Sequence, residues 1–156
     1  MNPALKQTAK PGRGRVLAID YGRKRIGLAI SDELGLTARP LETLERTNRR
    51  NDLRRLREIV RRHAVKSIVL GNPLRLDGSA GEMAAHASRF GAHLRRELRL
   101  PVEMQDERLS SWVARESTEK KKLVRDKRET DLDAVAAAVI LKDFLDREQS
   151  RKPTRK

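Results

Sequence analysis

Three acidic residues stand where a strand or a helix is expected to begin or end. Asp20 closes "RVLAID", an apolar run of strand character. Glu107, with Asp106 beside it, ends "PVEMQDE", residues 101–107, which reads as a second strand. Asp133 falls in the first turn of a helix predicted to start near Thr130 and to carry "LDAVAAAVILKDFL". If the first and last strands approach each other and this helix packs across them, three carboxylates converge. Such a cluster repels itself unless cations fill it. Ligands that offer only oxygen select hard Mg²⁺ or Mn²⁺. Two such ions, about 3.5–4 Å apart, would clamp the attacking water and the leaving oxygen of a phosphodiester.

Each acid has an ordinary explanation to set against this. Asp20 precedes Gly22 by two positions, which is common turn chemistry. Glu107 is next to Arg108, a pairing that is frequent on surfaces and worth little. Thr130-x-x-Asp133 fits a helix-start signature, and an acid in the first turn suits the helix dipole. Against that, Asp133, Ala137, Ile140 and Phe144 fall at i, i+4, i+7 and i+11, one apolar stripe. A carboxylate that heads a buried stripe needs a reason to be there. The four alanines between 134 and 138 would let this helix lie close against a sheet. Asp131 points instead toward the side of Lys142, and Asp106 and Asp131 are weaker candidates for a fourth acid.

The elements needed to position these acids can be read along the chain. Residues 15–20 and 25–31 form an expected hairpin around "YGRK", and 39–45 a third strand. "NDLRRLREIVRRHA", 51–64, is an amphipathic helix with Leu53, Leu56, Ile59, Val60 and Ala64 on one stripe and arginines on the other face. A buried strand is expected at 65–71, a helix from about 80 to 99 and a strand at 101–107. A short helix capped by Ser110 or Ser111 would carry Trp112 before the last helix. The order β-β-β-α-β-α-β-α-α implies a mixed α/β sheet, antiparallel at first and then parallel, flanked by helices. Residues 1–14 and 149–156 read as basic arms around one domain, 15–148.

Composition narrows the partner. Thirty-six Lys and Arg against 22 acids give a net charge of +14, a field that attracts polyanions and releases their counterions. Nucleic acid is therefore expected, and an anionic membrane is disfavoured because only 3% of the residues are aromatic. Cysteine is absent, which excludes disulfides, thiolate zinc and thiol nucleophiles. No signal-peptide core or membrane-length apolar run is found, so the expected location is the cytoplasm. His63, His86 and His93 lack metal-site spacing. "GRKRIG" has too few glycines for a dinucleotide or P-loop fingerprint.

Four stretches in order, "LAIDYGRKRIGLAISD", "IVLGNPLRLDGS", "QDERLSSWVARE" and "DLDAVAAAVIL", resemble the YqgF family, also called RuvX, over about residues 15–148. The resemblance implies a ribonuclease H-like fold and divalent-metal phosphodiester hydrolysis. It also implies maturation of the 5′ end of the small-subunit (16S) ribosomal RNA precursor, with some members labelled Holliday-junction resolvases. The family's three acids map onto Asp20, Glu107 and Asp133. Asn72 departs from the family's "GLP", since this chain has Gly71-Asn72-Pro73.

The expected mechanism has Asp20 shared between two ions, with Glu107 and Asp133 completing their ligands. Gly22 would allow close backbone approach, and Arg23, Lys24 and Arg25 would hold phosphates. Asn72 and Arg75 in one loop, Arg108, and Lys121, Arg125, Lys127 and Arg128 in another would line the substrate path. Two rival classes remain at this level. One is a non-catalytic ribosome- or RNA-binding protein on the same fold. The other is an actin-like ATPase, for which the chain is too short to supply both domains.

Overall fold

The computed structural model describes residues 14–72, 81–106 and 129–151. The expected short helix near Ser110, with Trp112, lies outside the described residues. Five strands and three helices are described, which we number in chain order. They are β1 (Arg15–Tyr21), β2 (Arg25–Ser31), β3 (Ala38–Glu45), α1 (Arg49–Arg62), β4 (Val65–Asn72), α2 (Glu82–Leu98), β5 (Val102–Asp106) and α3 (Glu129–Ser150). Helix α3 runs two residues into the segment expected to be a tail.

The strands lie in the order β3-β2-β1-β4-β5. The first three are antiparallel, and β4 and β5 pair in parallel with what precedes them. This is the mixed sheet expected from the element order, because each parallel pair is joined through a helix that must cross a face of the sheet. The first and last strands approach each other with one strand between them, since β4 lies between β1 and β5, so they stand about 9–10 Å apart.

Alternation along the strands divides the core in two. Leu17 and Ile19 of β1, Ile26, Leu28 and Ile30 of β2, and Ile68 and Leu70 of β4 face α1 and α2. They pack with Leu53, Leu56, Ile59, Phe90 and Leu94. Val16, Ala18, Ala29 and Val69 face the opposite way and pack with Ala137, Ile140, Leu141 and Leu145 of α3. The α3 side of the sheet is therefore built from small residues, as a close helix requires. The buried stripe of α3 is Ala134, Ala137, Leu141 and Leu145, joined by Ile140. It is rotated slightly from the expected one, so Asp133 and Phe144 stand at its border.

Helix α1 starts at Asn48, whose side chain accepts from Asn51 N at 2.9 Å. Asp52, one of few buried polar side chains, ties this helix start to the strand before it. Its Oδ1 accepts from the Thr47 amide at 3.1 Å and from Arg55 Nη2 at 2.6 Å.

Candidate active site

Asp20 lies one residue from the end of β1, half-buried, and alternates with Val16 and Ala18 toward the α3 side. Its cross-strand partner on β2 is Gly27. A Cβ built on Gly27 would lie 2.0 Å from the Asp133 carbonyl oxygen and 3.1 Å from the Ala134 amide nitrogen. The first turn of α3 therefore rests directly on the backbone of β2, at the position opposite Asp20. No other residue type fits there. This contact sets the Asp133 backbone beside the strand pair that holds Asp20, although the two are far apart in sequence.

Arg25, at the start of β2 and on the same face as Gly27, fixes the Asp133 side chain. Its Nε donates to Asp133 Oδ2 at 2.7 Å, with both side chains about 30% exposed. Arg25, expected to hold phosphate, thus has its Nε engaged with Asp133.

Helix α3 and its neighbours leave a row of small residues around Asp20. Gly27 stands on one side. Gly71 of β4 stands on the other, one step beyond the Ile19–Leu70 pair, and Gln105 of β5 is the partner of Gly71. Gln105 is buried, and its Nε2 has no hydrogen-bond partner among the described residues. Asn72 and Asp106 are paired at the ends of β4 and β5. By alternation they continue the rows of Leu70 and Met104, which face α1 and α2. Asp106 is thus on the opposite face of the sheet from Asp20 and is not a fourth acid of that site. The Asn72 Oδ1 is buried and without a partner among the described residues.

The hairpin tip is held from outside. Gly22 N donates to Arg25 O at 2.9 Å, and a Cβ at Gly22 would lie 2.7 Å from that same oxygen. The close approach at Gly22 is therefore to its own hairpin. Arg23 and Lys24 are exposed at the tip. Arg46 clamps it: its amide donates to Lys24 O at 2.8 Å, and its Nη1 donates to Gly22 O at 2.9 Å and Arg23 O at 3.1 Å. The Arg46 guanidinium lies 4.3 Å from the centre of the Tyr21 ring, which stacks in turn on Phe90 at 4.2 Å. Burial pushes the Tyr21 phenol above its ordinary pKa, opposed by the Arg46 charge and reinforced by Asp52. Neither Tyr21 nor Arg46 stands out in the sequence, because a clamp between distant segments has no local spacing.

The Asp133 backbone is thus seated at the strand position paired with Asp20, with Arg25 on the Asp133 carboxylate. Glu107, Arg75, Arg108, Lys121, Arg125, Lys127 and Arg128 lie outside the described residues, and the side chain of Asp131 is not described. Among the described residues no group of three or more His, Cys, Asp or Glu could hold a metal ion. The two carboxylates offer oxygen only, which suits a hard divalent cation and excludes a soft one. His86 and His93 contact arginines on the outer helices, away from this site.

An open mixed sheet with a carboxylate at the end of its central strand, and a second on a helix crossing that strand, defines the class. This is a ribonuclease H-like hydrolase of the nuclease kind. The chain belongs to the RuvX family, whose model, described as Holliday junction resolvase, matches residues 14–147. A protein of Koribacter versatilis named as a candidate pre-16S rRNA nuclease is 43% identical over 134 residues, covering 86% of this chain and 88% of the relative. One of Geobacillus kaustophilus with the same name is 45% identical, covering 85% and 97%. Among solved structures, Thermus thermophilus RuvC in complex with a Holliday junction substrate superposes with a TM-score of 0.57. It is 18% identical and covers 90% of this chain and 99% of that one. The fowlpox virus Holliday junction resolvase superposes at 0.51 with 13% identity. These two likenesses concern the fold.

Proposed function

We propose that this protein is a divalent-metal-dependent nuclease that matures the 5′ end of the 16S rRNA precursor. The observation that carries the reading is the seat of Asp133 on Gly27, directly across from Asp20. That contact has no structural need for a carboxylate on both sides, and carboxylates on one face of the sheet offer the all-oxygen ligands that suit a hard divalent cation. Asp20 and Asp133 would hold the ion, with Glu107 as the third ligand. When bound, Mg²⁺ or Mn²⁺, one ion or a pair, supplies a water acidic enough to attack phosphorus near neutral pH.

The chain's own residues do the rest. Arg25 orients the Asp133 carboxylate, and the bare backbone at Gly27 sets its distance from Asp20. The exposed Arg23 and Lys24 are placed at the hairpin tip to meet phosphate oxygens beside the scissile bond. Arg46 fixes the tip on which they stand. Arg75, Arg108, Lys121, Arg125, Lys127 and Arg128 are assigned to the substrate path on sequence position alone. The folded unit is read as residues 15–148, acting in the cytoplasm on pre-ribosomal particles. No described helix is long and apolar enough to cross a membrane.

The family description favours a second substrate, branched DNA. One preparation offered precursor RNA and a four-way DNA junction, with and without Mg²⁺, separates the two. Faster cut of the RNA at the mature 5′ end is expected, and preferential junction cleavage would move the assignment to DNA. Asp20→Asn is expected to abolish cleavage of either. If Mg²⁺-dependent cutting survives in that variant, the site is misassigned. RNA binding indifferent to Mg²⁺ and to Asp20, Glu107 and Asp133, with no cleavage, would instead make the protein a binder.

A further inference from the structure

Among the described helices, positive charge gathers on the face of the sheet away from the candidate active site. Helix α3, which carries Asp133, has six acidic residues against two basic ones. Helix α1, on the other face of the sheet, has seven arginines against two acids. Arg50, Arg54, Arg57 and Arg61 fall at i, i+4, i+7 and i+11, a single stripe about 16 Å long, and all four are exposed. Arg57 leans on Glu97 of α2 at 3.1 Å. Arg50, Arg54 and Arg61 have no ion-pair partner among the described residues. Arg96 extends the same surface onto α2.

Like charges three and four apart on a helix destabilise it by a few tenths of a kcal/mol per pair. A stripe of four arginines is a standing cost to α1. Its packing face, Leu53, Leu56 and Ile59, points the other way and gains nothing from it. A polyanion laid along the stripe reverses the sign of that cost.

We propose that the outer face of α1 and α2 is a second RNA-docking surface, which grips the phosphate backbone of a double-helical RNA segment remote from the bond being cut. The surface specifies the kind of ligand. Neither helix exposes a Phe, Tyr or Trp, since Phe90 of α2 is buried, so beyond the small imidazoles of His86 and His93 unpaired bases find no aromatic platform. Two helices side by side offer a broad, shallow, cationic surface, which suits the backbone of an A-form duplex. The sheet separates it from Asp20 and Asp133, so a substrate that engages both must fold around the protein.

The test measures binding, so it does not depend on the proposed cleavage. In an Asp20→Asn background, Arg50→Gln, Arg54→Gln and Arg61→Gln are combined. Glutamine keeps helix propensity close to that of arginine. A control removes three exposed charges elsewhere: Arg39→Gln, Lys66→Gln and Lys142→Gln. Affinities are measured from low to high salt for a long RNA with helical segments, a DNA duplex of equal length and a short RNA spanning only the cleavage site. For the long RNA, the stripe variant is expected to lower the log–log salt slope by about 2–3. It should leave the short RNA unchanged, and the control should alter neither. An equal change in the control would reduce the effect to net charge and overturn the docking surface. A DNA duplex bound as tightly and weakened as much would overturn the assignment to RNA. An unchanged slope would leave the stripe to an acidic protein partner. A shifted slope in a protein that never cleaves would keep this surface and remove the proposed activity.

Discussion

At Gly27 a single hydrogen decides the geometry of the site, because the Asp133 carbonyl occupies the place a methyl group would need. Gly27→Ala is expected to lift the start of α3, cost about 1–3 kcal/mol and lower cleavage about a hundredfold. Thermal unfolding and single-turnover cleavage measure the two effects. Asp32 offers a pH test. Its Oδ1 accepts the Leu36 and Thr37 amides at 2.7 and 3.0 Å, and the backbone bonds, that of Thr37 foremost, hold its pKa below the ordinary carboxylate value. Its stabilising contribution is therefore present above the unfolded pKa of about 3.9 and is lost as pH falls through the lower folded value. Titration followed by NMR should find the Asp32 midpoint below that of a free aspartate, and Asp32→Asn should flatten the acid limb of the stability curve. For the candidate site, the positions of Asp20 and Asp133 at element boundaries were legible from apolar runs and helix-start chemistry. Gly27 was not, since a glycine inside a strand reveals its reason only when the helix that fills its space is in place.

At the level of elements, the hairpin β1–β2 depends on a residue outside it. Arg46 bonds three carbonyls of the turn and covers Tyr21. Arg46→Lys keeps the charge but loses the planar fork, and is expected to cost about 1–2 kcal/mol. Amide hydrogen exchange at Gly22 to Arg25 should quicken, with slower cleavage. Helix α1 depends likewise on Asp52, so Asp52→Ala, which strands Arg55 and Thr47, is expected to lose about 2–4 kcal/mol in chemical denaturation. Strand and helix positions followed from periodicity within a residue or two. The apolar stripe of α3 was harder to place because that helix is apolar nearly all round, so the pattern could not say which side meets the sheet. Strand order also escaped the sequence. Nothing local in β4 says that it inserts between β1 and β5, and it is the alternation along β5 that puts Asp106 on the opposite face from Asp20.

At the scale of the whole molecule, the sheet separates an acidic helix, which carries Asp133, from a pair of arginine-bearing helices on its other face among the described residues. A net charge of +14 announced nucleic acid but not which face receives it. The contact between Gly27 and Asp133 also joins elements far apart in the chain. The hairpin that carries Asp20 is synthesised well before the helix that carries Asp133. A growing chain therefore holds Asp20 without Asp133 until helix α3 has left the ribosome and docked on the hairpin. Assembly of the proposed site is thus a late event of synthesis, made only when that helix seats.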